Sequence, residues 1–436
     1  MSLTGSVFLD GVVAIAIAAF IAVILIWPRL TRRTPWHIAG RATALVMVNA
    51  LVLLAAATQL NAHYLFYANW ADLAGSFGGS ISQTAIHRGG NERKAPDIAV
   101  AGARAPVASH VPPLPHVPTT AAGALQFTVH GPISGLTGKV VVMLPPGYTS
   151  TPEATERYPV LEAFHGYPSA PLGWLQNYPE PQDAEQLAAH GQLRDPLLVV
   201  PEIEFPAGLD TEGVNGAVGQ PQVETWLTRD VPRWVGAHFR VEADRNAWAT
   251  IGDSAGGYVA AMAALLHPAQ YGAAIVLGGY YRPDFGPYYQ PFAPDSPLGR
   301  RYDLVRAAQQ DAPAVSMWIQ TSHADRLSYA SSSEFLRAVR PPTAVHAVVL
   351  RYAGHRLSVW VRLLPDALQW LGHTVQGFEP GAAPSSSPST ASTVGTPPRH
   401  RGTLRSLPAG PHRAAHARSG GGRRHSGDHR RTRAAR

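Results

Sequence analysis

Residues 251–258 read IGDSAGGY, with Ser254 between Gly252 and Gly256. A serine hydroxyl attacks a carbonyl carbon only when a base takes its proton, and that base needs an acid to orient it. The chain has no cysteine, which excludes a thiolate nucleophile, a thiolate metal site and any disulfide. The Gly-x-Ser-x-Gly spacing alone says little in a chain with 41 glycines, so its meaning depends on where it sits. It sits between an apolar run, NAWATIGDS (246–254), and a helical pattern, SAGGYVAAMAALLHP (254–268). A strand that feeds a helix this directly requires a tight turn. Gly252, Gly256 and Gly257 fit it because side chains there would strike the neighbouring strand or helix. The turn projects the serine oxygen past the strand's carboxyl end, beside helix amides that favour negative charge.

A strand-turn-helix nucleophile calls for an acid and then a histidine later in the chain. The run AVSMWIQTS (314–322) is followed at once by HADRLS, which places Asp325 just past a strand end. The run AVHAVVLRYAGH (344–355) ends on Gly354 and His355, ahead of an apolar helical stretch, SVWVRLLPDALQWL. Ser254, Asp325 and His355 are therefore the expected triad. Glu334 is the alternative acid, and Asp325 is also placed to cap a helix; His323, His346 and His373 are the other histidines weighed against His355. An oxyanion needs two amides, and those expected are Ala255, after the nucleophile, and Tyr167, after the strand YPVLEAFHG (158–166). His165 reads as a brace for that loop, and Asp253 as structural.

The elements that must hold these residues form a regular series. Beside the runs already named, KVVVMLPPG (139–147), PLLVVPEIE (196–204) and GAAIVLGG (272–279) are short and rich in β-branched residues. Most are continuously apolar, as strands covered on both faces are. Helical patterns lie between several of them, including residues 223–239. The expectation is an α/β fold, a mostly parallel central sheet flanked by helices, over residues 123–376.

The rest of the chain has another character. Residues 11–27, GVVAIAIAAFIAVILIW, hold no charge and no proline, and a second apolar run follows at 42–60. Residues 1–70 are expected to be an anchor with two transmembrane helices, about 7–27 and 42–60, with Tyr64, Phe66, Tyr67 and Trp70 at interfacial depth. A cleaved signal peptide is the alternative for the first run, although no basic residue precedes it. The connecting loop carries Arg29, Arg32, Arg33 and Arg41, which places it in the cytoplasm and the catalytic domain outside the cell membrane. Residues 71–122 read as a Pro/Gly-rich stalk and 377–436 as a disordered basic tail. That tail, from Arg399 onward, holds 11 arginines and one acid, so the remaining chain nets −3 of the total +7. The domain is slightly acidic, and a nucleic-acid partner is excluded on charge.

The stretch from about 123 to 376 resembles the esterase group of the α/β-hydrolase superfamily that includes esterase D (S-formylglutathione hydrolase) and the antigen 85 mycolyltransferases. The residues that carry it are ETWLTRDVPRWVGAHFRV (224–241), GDSAGGYVAAMAALLHPAQYGAAIVLGG (252–279) and GHRLSVW (354–360). The resemblance implies an α/β-hydrolase fold, acyl-serine chemistry and no cofactor; no metal ligand set is assigned. It departs from antigen 85 in having an aspartate where that group typically uses glutamate, and from both groups in its two apolar segments. Arginine dominates, with Lys94 and Lys139 the only lysines, in the style of an actinobacterial cell-envelope protein.

The expected function is a membrane-anchored serine esterase or acyltransferase acting on an ester of a lipid or cell-envelope component. Its partners are an ester or acyl-donor small molecule or lipid, and the membrane. The alternatives are an inactive hydrolase-fold binding protein, an S-formylglutathione hydrolase-like thioesterase and a peptidase. The Pro/Tyr-rich stretch GYYRPDFGPYYQPFAPDSP (279–297) is either a wall of the acceptor or acyl site or a packed surface loop.

Overall fold

A computed structural model describes residues 3–76, 83–90, 102–111, 114, 117, 119–149, 155–286 and 289–381. Seven of its nine strands are those expected from the apolar runs: β3 (Thr137–Met143), β4 (Val160–Phe164), β5 (Leu197–Pro201), β6 (Trp248–Asp253), β7 (Ala273–Leu277), β8 (Ser316–Ser322) and β9 (Ala344–Leu350). The other two are β1 (Gln83–Gly89) and β2 (Leu125–His130). All nine form one sheet in the order β1-β9-β8-β7-β6-β4-β5-β3-β2. The block from β5 to β9 is parallel, while β1, β2 and β3 run antiparallel to their neighbours. This is an α/β-hydrolase sheet.

Strands β4 to β8 are buried at every position, because alternate side chains enter two separate cores. Val160, Phe164, Val276 and Ile319 face one core, which the Ala255–Leu266 helix covers. Leu161, Ile251, Ile275 and Trp318 face the other, covered by the Glu180–Ala189 and Leu357–Thr374 helices. The helix expected over 223–239 is broken into Val223–Thr225, a π-helical turn Trp226–Asp230 and Val231–His238. Pro232 accounts for the break, since it has no N–H for the carbonyl one turn earlier.

Two boundaries differ from those read in the sequence. The supposed stalk contributes β1, paired along its whole length with β9, and Ala108 N donates to Gly236 O at 2.8 Å. Strand β1 escapes a hydropathy reading because it is an edge strand, QTAIHRG, exposed at six of its seven positions; backbone pairing alone recruits it. At the other end, Phe378 is fully buried and its carbonyl accepts Arg194 N at 2.8 Å, so the fold extends past residue 376. The tail expected to be disordered lies, from residue 382 onward, outside the described residues.

The first apolar segment is a helix, Ser6–Ile26, followed by a 3₁₀ turn, Trp27–Leu30; the second is a helix, Pro35–Tyr64, longer at both ends than the 42–60 expected. Their 21 and 30 residues span about 31 and 45 Å at 1.5 Å per residue. Apolar side chains such as Ile17, Leu25, Val46 and Leu53 stand exposed along them, unlike those of a core helix.

Candidate active site

β6 ends at Asp253 and the Ala255–Leu266 helix begins two residues on, leaving Ser254 as the whole connection. Its backbone sits at φ 53°, ψ −119°, a conformation that a residue with a side chain holds only when its surroundings enforce it. Those surroundings are backbone at close range. A Cβ on Gly252 would stand 2.1 Å from Gly256 O, and one on Gly256 would stand 2.0 Å from Phe164 O. β4, β6 and the helix therefore meet at a point where only glycine fits, which is what the Gly-x-Ser-x-Gly spacing encodes.

The structure brings the three expected residues together. His355 Nε2 lies 2.8 Å from Ser254 Oγ, and His355 Nδ1 lies 2.9 Å from Asp325 Oδ2. Asp325 is 2 % exposed and also accepts from Leu327 N, Ser328 N and Ser328 Oγ, the last at 2.7 Å. Burial opposes ionisation of this carboxyl, but the bonds from His355 and Ser328 outweigh it and hold its pKa below the ordinary value. Asp325 does not cap the helix that follows, whose N-cap is Ser328; its Oδ1 accepts the two amides of the preceding turn while Oδ2 meets Ser328 Oγ and His355. Glu334 is elsewhere, bidentate to Arg282 at 2.7 and 2.9 Å on the surface. His346 faces His87 across the β1–β9 pair, and His323 leans on Tyr329.

The loop after β4 is held from beneath. Asp253 Oδ1 accepts the Gly166 amide at 3.2 Å, and His165, 2 % exposed, sits 3.8 Å from Glu202. Burial pushes the Asp253 carboxyl up to about 6, with His165, His355 and the Gly166 amide pulling the other way. At His165 burial opposes the charge, but Glu202, the Gly166 carbonyl and Glu204 outweigh it, and its pKa is raised. Asp253 and His165 thus act as braces.

Two clefts meet at Ser254. One, of about 280 Å³, is walled by aromatic rings, Tyr64, Phe66, Trp174, Tyr178 and Trp360, with His355 at its edge. The other, of about 430 Å³, lies on the Ala255 side, with Asp210, Tyr280, Arg282 and Asp284 in its lining. Tyr167 lines both. Of the 279–297 stretch, Tyr280, Arg282, Pro283 and Asp284 line this second cleft, while Phe285 and Phe292 pack on the core. Sequence reasoning missed Tyr64 and Phe66 as site residues, because their aromatic character was accounted for by a membrane interface.

The family described as "Putative esterase" matches residues 135–371, more than half of the chain. An uncharacterized protein of Corynebacterium glutamicum is 27 % identical over 176 residues, 38 % of each chain, so the match spans well under half of that relative's length. Among solved structures, an S-formylglutathione hydrolase from Agrobacterium tumefaciens is 18 % identical, covers 59 % of this chain and 98 % of its own, and superposes with a TM-score of 0.50. MPT51 of Mycobacterium tuberculosis is 16 % identical, covering 58 % of this chain and all of its own, with a TM-score of 0.43.

Proposed function

The chain belongs to the esterase family of the α/β-hydrolases, and on that premise we propose that it is a serine esterase or acyltransferase, held at a membrane by its two apolar helices, that acts on an ester of a lipid or cell-envelope component. The observation that carries this reading is the unbroken relay from Asp325 through His355 to Ser254, at 2.9 and 2.8 Å, on a turn strained at the serine.

Ser254 Oγ adds to the ester carbonyl while His355 Nε2 takes its proton; Asp325 keeps Nδ1 protonated and balances the imidazolium. The oxyanion receives the Ala255 amide and the Tyr167 amide. Ala255 is the first helical residue and has no carbonyl one turn back to bond. Gly166 already donates to Asp253, which favours Tyr167 as the loop's donor. The alcohol leaves with the proton from His355, giving an acyl-serine, and water or a second alcohol releases the acyl group by the reverse steps.

Membrane attachment is supported by two helices of 21 and 30 residues whose apolar side chains face outward; Arg29, Arg32 and Arg33 between them, with Arg41 in the second helix, support an extracytoplasmic domain. A fluorophosphonate probe tests the chemistry. Labelling of the full chain confined to Ser254, with hydrolysis of p-nitrophenyl esters falling about 10⁶-fold in Ser254→Ala, is the expected result. Undiminished turnover in that variant removes the assignment.

A further inference from the structure

The turn that carries His355 is held by a part of the chain nearly 300 residues earlier. The Pro35–Tyr64 helix ends in Leu65, which adopts φ 56°, ψ 33°, a left-handed conformation unfavourable for leucine. Asn61 ties the reversal: its amide donates to Tyr67 O at 3.0 Å and its Oδ1 accepts Tyr67 N at 2.7 Å. The chain then enters a short helix, Trp70–Gly75, capped by Asn69, whose Oδ1 accepts Asp72 N.

From this segment, groups reach the three consecutive residues centred on the histidine. Leu65 O accepts the His355 amide at 3.1 Å, and Asp72 Oδ2 accepts the Gly354 amide at 2.8 Å. The Asp72 carboxylate also lies 2.7 Å from Arg356 Nη1, which donates to Phe66 O as well, while Arg356 Nη2 donates to Ser76 Oγ. Tyr67 lies under the Arg356 guanidinium at 4.7 Å. Asp72 is 5 % exposed, so the pair is largely shielded from water. The approach is close enough that a Cβ on Gly354 would stand 2.4 Å from Phe66 O. The same segment supplies Tyr64 and Phe66 to the aromatic cleft beside Ser254.

We propose that residues 64–76 complete the active site: Asp72 is a positioning residue for His355, and Tyr64 and Phe66 form the surface on which an apolar acyl or alkyl chain of the ester packs. The proposal rests on the serine-esterase reading above. Tyr64 ends the second apolar helix and shares the aromatic cleft with Phe66 and Ser254, so the hydrocarbon part of an ester and its carbonyl would lie in one cleft. Esters with short, polar acyl groups gain nothing from that wall.

The test uses the full chain in detergent micelles, with p-nitrophenyl acetate and p-nitrophenyl octanoate as substrates. In Tyr64→Ala/Phe66→Ala, kcat/KM for the octanoate is expected to fall about 10-fold more than that for the acetate. Equal effects on the two esters overturn the substrate wall. In Asp72→Asn, kcat for both esters is expected to fall about 10- to 100-fold with KM for the acetate unchanged, because a misplaced base slows proton transfer without altering binding. The rate of fluorophosphonate labelling at Ser254 falls in step. Wild-type kcat in Asp72→Asn, or a loss expressed wholly in KM, overturns the positioning role. If the wild type is labelled and these variants match it, the inference fails while the esterase reading stands; if the wild type is not labelled at Ser254, both fail together.

Discussion

Ser254 and His355 touch at 2.8 Å, yet they are fixed in place by different means. The serine is held by its own neighbourhood: β4, β6 and the helix that follows it converge so tightly that Gly252 and Gly256 have no room for a methyl group. The histidine is held from outside the family-matched region, by the carbonyl of Leu65 and the carboxylate of Asp72. One end of the relay is thus built by the sheet and the other is clamped by the segment that follows an apolar helix. A nucleophile under backbone strain needs surroundings that cannot relax, whereas a base that must accept and return a proton needs only its orientation fixed.

The largest effect that probes this contrast comes at the join between the two halves. Replacing Asp325 by Asn puts an amide where His355 needs an acceptor, and kcat is expected to fall about 10⁴-fold, as steady-state kinetics will show. A loss below about 10-fold would mean that another group orients the base.

A matched pair of glycine variants separates the two supports. Gly256→Ala places a methyl against the Phe164 and His165 carbonyls, at 2.0 and 2.6 Å, and neither can move without breaking the sheet. Stability should drop by about 3 kcal/mol and activity should vanish with it. Gly354→Ala meets the Phe66 and Leu65 carbonyls, at 2.4 and 2.7 Å, which belong to a segment outside the sheet that can withdraw. Its melting temperature should change little while kcat falls about 10- to 100-fold. Equal destabilisation in the two would erase the distinction between a sheet-built and a clamped site.

Titration gives the smallest and most distributed test. Beneath the serine, burial lifts Glu162 on β4 to about 8, despite a bond from Tyr271, and Asp253 to about 6. Both hold protons in the folded state that the unfolded chain releases above about pH 4. The unfolded state then binds fewer protons, so stability falls as pH rises from about 4 to about 8. On the histidine side the sign reverses. Asp325 is depressed in the folded state, so its contribution is present above the unfolded carboxylate range and is lost as pH falls through the folded value. Melting temperatures should therefore decline from pH 5 to pH 8, and Glu162→Gln should flatten that decline; an unchanged slope would mean that Glu162 is ionised where it sits.

The relay was legible because each member follows a strand end, and strand ends are visible as breaks in apolar runs. Ser254, Asp325 and His355 needed only the order of elements and the rule that a parallel sheet gathers its carboxyl ends on one edge. Strand β1 was hidden, since an exposed edge strand has no hydropathy alternation to betray it. Phe378 was hidden as well, a single aromatic at the start of a Gly/Pro/Ser-rich stretch. Tyr64, Phe66 and Asp72 carried no signal of their own, because aromatics after an apolar helix and one acid in a polar linker have ordinary explanations.

By itself the sequence determined the α/β layers, the two apolar helices and the tight serine turn at the end of β6. These follow from local periodicity and from residue types that only a few backbone shapes accept. Which carboxylate serves His355 was a choice among candidates until Asp325 lay 2.9 Å away and Glu334 was bound to Arg282. That Asp72 clamps Gly354 and Arg356 across more than 280 residues was decided by the tertiary structure alone. Hydrogen bonds between distant segments depend on where folding brings two backbones together, and nothing in the local pattern at either end records the meeting.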